Sequence, residues 1–286
     1  MNPQSDTLHS VVLKLTPTRE ATVRATLGHQ AHAAFLRTVR EADPALAEVL
    51  HTPQFDMRPF TVSPLLGVPR ARDGMVTVKP DEEYALRFTV LYQPIFQQFM
   101  ARFLRGQARP VIRLGRALFL VREILATPES SPWAGYTSFG QLYHHAQPVS
   151  QVRLEFTSPT AFSFGRKAWG RKVVPLPDPT LVFRSLWKKW NTCALPELSL
   201  GEALLQYVAE NVVVKRCQLE TKMQHFSRWP QVGFVGQVTF GLMGRGQGAD
   251  LFRRQLDLLA DFAFYAGVGY KTTMGMGQCR RLKRET

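Results

Sequence analysis

A glycine-rich stretch near the C-terminus, residues 267–277, holds residue types suited to binding an anion. Two Gly-apolar-Gly units bracket five residues that include Lys271; the four glycines are Gly267, Gly269, Gly275 and Gly277. Glycine permits φ > 0 and close backbone approach, and successive amides of such a loop can form an anion-binding concavity. The pattern predicts a loop shaped around a phosphate-bearing ligand, with a solvent-exposed turn as the alternative.

Several histidines could carry acid–base chemistry, because the imidazole changes charge near neutral pH. His51 falls at the end of a helix predicted to start with Asp43 as its cap, where the helix dipole favours the protonated ring of a general acid. His29 and His32 are three residues apart and share one helical face, so either could be a second acid, base or phosphate contact. Each is also explained by a structural role.

Cations near these histidines could stabilise a phosphorane. Arg58, seven residues after His51, is the candidate for transition-state charge, with an ordinary solvated arginine as the alternative. A second basic segment, residues 162–172, interleaves three aromatic residues with four cations: Arg166, Lys167, Arg171 and Lys172. Cations bind phosphates and aromatic faces stack on unpaired bases, so this segment predicts contact with single-stranded RNA. Arg184, Lys188 and Lys189 on the next predicted helix could extend that surface.

The overall charge also points to a polyanionic partner. The chain of 286 residues carries a net charge of +14, and no apolar run approaches the length of a membrane-spanning helix. Three cysteines, Cys193, Cys217 and Cys279, form no C-x-x-C pair, and no D-x-D motif or cluster of acidic residues could hold two Mg²⁺ ions. We therefore expect a cytoplasmic protein that uses neither a metal nor another cofactor.

The order of predicted elements indicates an α+β fold made of two tandem ferredoxin-like domains. Each domain reads as βαββαβ, residues 1–130 forming the first, residues 131–149 a linker and residues 150–286 the second. The predicted strands are Leu8–Leu15, Phe60–Leu66, Glu83–Tyr92 and Val111–Ala126, then Gln151–Phe156, Asn211–Lys222, Val232–Met243 and Gln278–Lys283. The segment Val111–Ala126 is either one long strand or a pair of short ones. The last helix is expected to have Asp250 as its N-cap and Gly267 at its C-terminal end.

The C-terminal helix, glycine loop and strand resemble the signature of CRISPR repeat-processing endoribonucleases, a group within the superfamily once called repeat-associated mysterious proteins. The segment Pro59-Phe60-Thr61-Val62-Ser63, downstream of His51, resembles a second family segment, although Thr52-Pro53-Gln54 replaces the usual acidic-x-Gly. The resemblance implies a metal-independent nuclease whose substrate 2′-oxygen attacks the phosphate, leaving a 2′,3′-cyclic phosphate and a 5′-hydroxyl. It also implies that His51 is catalytic, that the basic segment seats the repeat RNA, and that effector-complex subunits are further partners.

Two other functions stay open at the level of sequence. One is a non-catalytic subunit that binds RNA within a CRISPR effector complex. The presence of His51 as a plausible catalytic residue argues against this function. The other is a general RNA-recognition protein, for which the K/R-G-F/Y-G/A-F-V-x-F/Y motif is missing. A homodimer is compatible with each of these functions.

Overall fold

The secondary structure comes from a computed structural model that describes residues 6–51, 57–69, 74–104, 110–168, 170–226, 230–244 and 246–282. The first part of the chain contains β1 (Thr7–Pro17), β2 (Ala21–Arg24), α1 (Gly28–Ala42), α2 (Pro44–His51), β3 (Phe60–Val62), β4 (Met75–Val78), β5 (Tyr84–Val90), α3 (Gln93–Leu104), β6 (Val111–Leu114) and β7 (Ala117–Leu125). The second part contains β8 (Gly135–Ser138), α4 (Phe139–His145), β9 (Gln151–Thr160), β10 (Phe162–Lys167), β11 (Gly170–Val174), α5 (Pro179–Cys193), α6 (Ala203–Asn211), β12 (Val212–His225), β13 (Pro230–Leu242), α7 (Gln247–Ala266) and β14 (Cys279–Arg281).

Two antiparallel sheets organise these elements. The first has the order β3-β5-β1-β7-β6, and the second has the order β12-β13-β9-β14. Each sheet contains a βαββαβ unit whose strands lie in the order 4-1-3-2, with α1 and α3 completing the first unit and α5 and α7 the second. This is the ferredoxin-like arrangement, so the predicted fold class is confirmed.

Local sequence explains where the helices begin and end. Asp43 accepts a hydrogen bond from the Leu46 amide at 3.0 Å and starts α2, and Asp178 caps α5 in the same way by accepting from the Leu181 amide at 3.1 Å. Gly267 ends α7 as predicted, with φ near 61° and its amide bonded to the Ala263 carbonyl at 3.0 Å.

The structure corrects several details of the predicted elements. Asp250 is not the cap of α7, because the helix already begins at Gln247 after Gly246 and Asp250 lies in its first turn. Features missing from the prediction include the two-stranded β2–β4 sheet, the β10–β11 hairpin, β8 and α6. Short strands paired only with each other carry weak periodicity, which explains why the sequence did not show the β2–β4 and β10–β11 pairs.

Residues 131–149, predicted to link the two domains, contain regular structure. Strand β8 pairs with β1 in register from Thr7–Ser138 to Ser10–Gly135 and so extends the first sheet. Helix α4 places the buried Phe139 ring 5.1 Å from Trp190 and 5.7 Å from Phe262, inside the core of the second sheet. This segment therefore packs against both halves of the molecule.

A buried arginine joins the two halves. Arg87 of β5 is 2% exposed, and its guanidinium donates to Ser10 Oγ (2.8 Å) and to the Trp133 carbonyl (3.0 Å) in the first half. The same group donates to Gln278 Oε1 and to the Phe264 carbonyl in the second half, both at 2.6 Å. Burial lowers the pKa of Arg87 to about 9. These bonds hold α7 and the end of the glycine-rich loop against the first sheet.

Candidate active site

The glycine-rich loop, residues 267–277, has a backbone that other residue types would strain. Gly269 has φ near +80°, and a Cβ there would overlap the Ala161 carbonyl oxygen. Gly277 has φ near +72°, and its Cβ would overlap the Val268 carbonyl and lie 2.8 Å from Thr272 Cγ2. The two Gly-apolar-Gly units are therefore needed because the loop packs closely on itself and on the strand end at Ala161.

Most amides of this loop donate to acceptors within the protein. Those of Val268 and Gly269 donate to the Gly277 carbonyl and to Ser185 Oγ, both at 2.9 Å. Four further amides donate to backbone carbonyls: those of Tyr270, Met274, Met276 and Gly277. The predicted anion-binding concavity is therefore not built from these six amides. The glycines shape the loop, and Lys271 stays the residue of the loop that is predicted to bind a phosphate.

The start of α1 lies directly against the loop. His32 Nδ1 is 3.0 Å from the Thr273 carbonyl, and the imidazole stacks on Phe60 with ring centroids 5.5 Å apart. Gly28, the first residue of α1, lies so close to Met274 that a Cβ would overlap its carbonyl. His29 is exposed one turn before His32. The structure thus brings His32, and with it the turn carrying His29, to the loop that contains Lys271.

Lys271 has an unusual backbone and a partly buried ammonium. Its φ is near 56°, in the left-handed region that residues other than glycine seldom occupy. Its Nζ lies 3.9 Å from the centroid of the Phe226 ring, a cation–π contact. Burial lowers the pKa of Lys271, and the nearby Arg171 guanidinium lowers it further. A phosphate site beside these two cations stays a prediction.

Lys189 does not belong to the exposed basic surface on which the sequence analysis placed it. It is buried, and its Nζ donates to the Ala266 and Gly267 carbonyls, both at 2.9 Å, at the C-terminal end of α7. Thr272 Oγ1 lies 3.5 Å from the same nitrogen. Burial lowers the pKa of Lys189 to about 7. These bonds attach the start of the glycine-rich loop to α5, and the buried Lys189 is not available to RNA.

Substitution of Lys189 by Met should change how stability depends on pH. Between pH 7 and the 10.5 of an ordinary lysine, the unfolded chain binds a proton that folded Lys189 does not. The free energy of unfolding of the wild type should therefore rise with pH in this window, by at most about 1.4 kcal/mol per pH unit, relative to that of Lys189→Met. Urea unfolding at several pH values measures this difference, with the exposed Lys188→Met as the matched control. If the free energies of unfolding of wild type and Lys189→Met differed by the same amount at every pH, the lowered pKa of Lys189 would be contradicted.

The basic and aromatic segment after β9 forms the β10–β11 hairpin. Phe162 pairs with Val174 and Lys167 with Gly170, and Arg171 Nη1 donates to Ser163 Oγ at 3.2 Å. The side chains of Arg166 and Lys167 lie outside the described part of the structure. Arg171 and Lys172 are exposed, as are Arg184 and Lys188 on α5 beside the hairpin. The described cations of the predicted basic surface therefore lie on the hairpin and on α5.

Two further predicted site residues lie after α1. His51 is the last residue of α2, and its side chain and residues 52–56 lie outside the described part of the structure. Arg58 is half-buried just before β3. Their catalytic roles therefore stay predictions.

Sequence reasoning missed the tip of the β12–β13 hairpin. Thr26, just before α1, donates through its hydroxyl to the His225 carbonyl, and the next residue, Phe226, carries the cation–π contact with Lys271. Thr26 and His225 are 199 positions apart in the chain. No spacing could indicate this contact, because it depends on how the second sheet meets the first.

Acidic side chains do not form a metal site among the described residues, where no group of three or more His, Cys, Asp or Glu could hold an ion. Asp257 and Asp261 of α7 are instead bound by Arg281, at 2.5 Å and 3.1 Å. In the same described ranges, no helix is both long and apolar enough to cross a membrane.

Comparison with known proteins identifies the family. The family model described as CRISPR-associated endoribonuclease Cas6 matches residues 154–279, and the model described as CRISPR Cas6 N-terminal domain matches residues 7–144. The chain belongs to the Cas6 family. The two matches correspond to the two ferredoxin-like units. The match over residues 154–279, in the C-terminal unit, contains the glycine-rich loop and the β10–β11 hairpin.

Curated Cas6 proteins match over part of their length. The CRISPR-associated endoribonuclease Cas6 of Streptococcus thermophilus is 27% identical over 145 residues, which is 51% of this chain and 56% of that protein. The Cas6 of Mycobacterium tuberculosis is 28% identical over 144 residues, 50% of this chain and 43% of that protein. The matched region thus spans about half the length of these relatives.

Solved structures of Cas6 proteins match over nearly the whole chain. The product complex of Cas6 (TTHB231) has a TM-score of 0.81 at 27% identity and covers 97% of this chain and 100% of that one. The structure described as Thermus thermophilus Cas6 (TTHB231) has a TM-score of 0.69 at 28% identity, covering 97% and 99%. The arrangement of both Cas6 domains is therefore shared.

Proposed function

We propose that this chain is an endoribonuclease that cuts CRISPR repeat transcripts into guide RNAs without a metal ion. The observation that carries the proposal is the contact between His32 and the Thr273 carbonyl, which places an imidazole against the glycine-rich loop. Membership of the Cas6 family, whose model is described as an endoribonuclease, supports the reaction class. The net charge of +14 suits an RNA substrate.

The contact also favours one role for His32. A carbonyl oxygen only accepts hydrogen bonds, so Nδ1 must carry the proton, and Nε2 is then the proton-accepting nitrogen of the neutral ring. In the proposed reaction Nε2 takes the proton of the 2′-hydroxyl, O2′ bonds to the adjacent phosphorus, and the bond from phosphorus to O5′ breaks. O5′ takes a proton from an acid, leaving a 2′,3′-cyclic phosphate and a 5′-hydroxyl.

Other residues supply the acid and the compensating charge. His29, exposed one helical turn before His32, is one candidate for the acid, and His51 at the end of α2 is another. Arg58 stays the candidate for transition-state charge. Arg171 lies close enough to Lys271 for its charge to lower the pKa of that lysine, and the two cations would stabilise the phosphorane. The contact with the loop therefore makes His32 the leading catalytic residue of this proposal, whereas the sequence alone ranked His51 first.

The test is cleavage of the CRISPR repeat RNA of the host organism, carried out in excess EDTA. We expect the RNA to be cut once per repeat at an undiminished rate, and the upstream product to resist phosphatase until its cyclic phosphate is opened by acid. A 2′-deoxynucleotide at the cut site should block cleavage while binding persists, because the nucleophile is gone. Loss of cleavage on chelation would contradict the metal-independent mechanism. Binding without cleavage under all conditions would instead favour a non-catalytic RNA-binding subunit.

A further inference from the structure

We propose that the cleft between the β10–β11 hairpin and α5 binds the base of a single unpaired nucleotide of the RNA. This inference rests on the proposed function, since it requires that the chain binds repeat RNA. The cleft has a volume of about 610 Å³, large enough for one nucleotide, and it opens beside Gly269 and Tyr270 of the glycine-rich loop. A base bound in the cleft would thus contact the loop next to Lys271, which follows Tyr270 in the chain.

The inside of the cleft suits a flat, apolar-faced group. Its walls include Phe162, Phe164 and Leu181, together with the Tyr270 ring and Met57 from the first half of the chain. Phe164 is 43% exposed, an unusual degree for a phenylalanine in a folded domain. The Lys172 ammonium lies 5.4 Å from its ring centroid. An aromatic ring held at the rim of an apolar cleft is a platform on which a base can stack.

The rim of the cleft suits the phosphates on either side of such a base. Arg171, Arg184 and Lys188 lie around it and are exposed, and no carboxylate is among the described residues that line it. A larger cavity of about 1140 Å³ differs in this respect, because Asp257 and Asp261 lie in it beside Arg281. In the cleft under the hairpin, the charged side chains among the described lining residues are all cationic, and they surround an apolar interior.

The cleft is also connected to the candidate active site. Ser185 lines the cleft, and its Oγ accepts a hydrogen bond from the Gly269 amide at 2.9 Å. Gly269 is two residues before Lys271. A base seated in the cleft would therefore hold the RNA strand at a fixed position relative to Lys271 and His32. We expect its loss to weaken binding and to blur the choice of cut site, while the cleavage chemistry itself persists.

An abasic scan of the RNA tests this assignment. The repeat RNA, kept intact by a 2′-deoxynucleotide at the cut site, is made with one base removed at each unpaired position in turn. For the wild-type protein, one position should lose roughly 5- to 150-fold in affinity, the range for stacking of a base on an aromatic side chain. In Phe164→Ala the same abasic RNA should bind no more weakly than the intact RNA, because the two changes remove one interaction.

Two further variants complete the test. Leu181→Trp fills the cleft and should also abolish the dependence on that base, whereas Tyr136→Ala, which removes a 60%-exposed aromatic side chain on β8, should keep the wild-type profile. An identical abasic profile in wild type, Phe164→Ala and Leu181→Trp would overturn the inference while leaving cleavage, and so the proposed function, intact. Failure of the wild type to bind repeat RNA at all would overturn both.

Discussion

Replacement of His32 by Ala should lower the single-turnover rate of repeat cleavage by roughly 10²- to 10⁴-fold, the usual contribution of a positioned proton-transfer group. The expected cause is loss of the base that deprotonates the 2′-hydroxyl, since the His32 ring is the one fixed by the Thr273 carbonyl at 3.0 Å. Affinity for the RNA should change little, because the cations of the loop and hairpin remain. Rates from gel-resolved cleavage, with binding measured separately on 2′-deoxy RNA, provide the measurement.

The matched variants separate a catalytic histidine from a structural one. His145→Ala removes an exposed histidine at the end of α4 and should cut at the wild-type rate. His29→Ala should lower the rate only if that residue is the acid, and His51→Ala tests the role implied by family resemblance. Normal cleavage by His32→Ala, accompanied by loss in His51→Ala, would contradict the assignment made from the structure and restore the one made from the sequence.

The sequence predicted the fold class, but it could not predict the contacts that the site makes between distant residues, for a physical reason. Strand and helix patterns are local, so the two βαββαβ units and the helix ends at Asp43 and Gly267 could be predicted from neighbouring residues. The contact of His32 with Thr273 joins residues 241 positions apart. Position along the chain carries no information about such a pair, and the sequence therefore ranked His51 first on motif resemblance.

Lys189 shows where the available signal was misread. Val182, Leu186, Trp190 and Cys193 are buried on one face of α5, and Lys189 lies on that face with them. A lysine on an apolar helical face is unusual and indicates a specific acceptor. Its acceptors, the carbonyls of Ala266 and Gly267, are at the end of a helix formed by a distant part of the chain, so their position was not predictable.

The glycines of residues 267–277 have a different role from the predicted one. The amides of Gly267, Gly269 and Gly277 donate to protein acceptors, and the missing side chains allow the loop to contact α1, β9 and itself. Close packing of this kind fixes the positions of Lys271 and His32 relative to each other. The loop therefore contributes rigidity to the site, whereas phosphate binding by Lys271 and the cations of the hairpin stays a prediction.

Replacement of Gly28 by Ala should abolish most cleavage although the residue touches no substrate. A Cβ at Gly28 would overlap the Met274 carbonyl oxygen and lie 2.5 Å from its carbon, and neither backbone can rotate away. Helix α1 and the loop would have to separate, which would lengthen the contact between His32 and Thr273. Because a displacement of about 1 Å can cost 10²-fold in rate, we expect a loss of roughly that size, with a fall of about 1–3 kcal/mol in the free energy of unfolding.

The control for this prediction is Gly248→Ala in the first turn of α7. No heavy atom lies within 4 Å of a Cβ built there, so the added methyl group meets only solvent, and alanine favours a helix over glycine by up to about 1 kcal/mol. Gly248→Ala should therefore cleave at the wild-type rate and unfold no more easily. If Gly28→Ala remained folded by circular dichroism and cut as fast as Gly248→Ala, close packing of α1 on the loop would not be what positions His32.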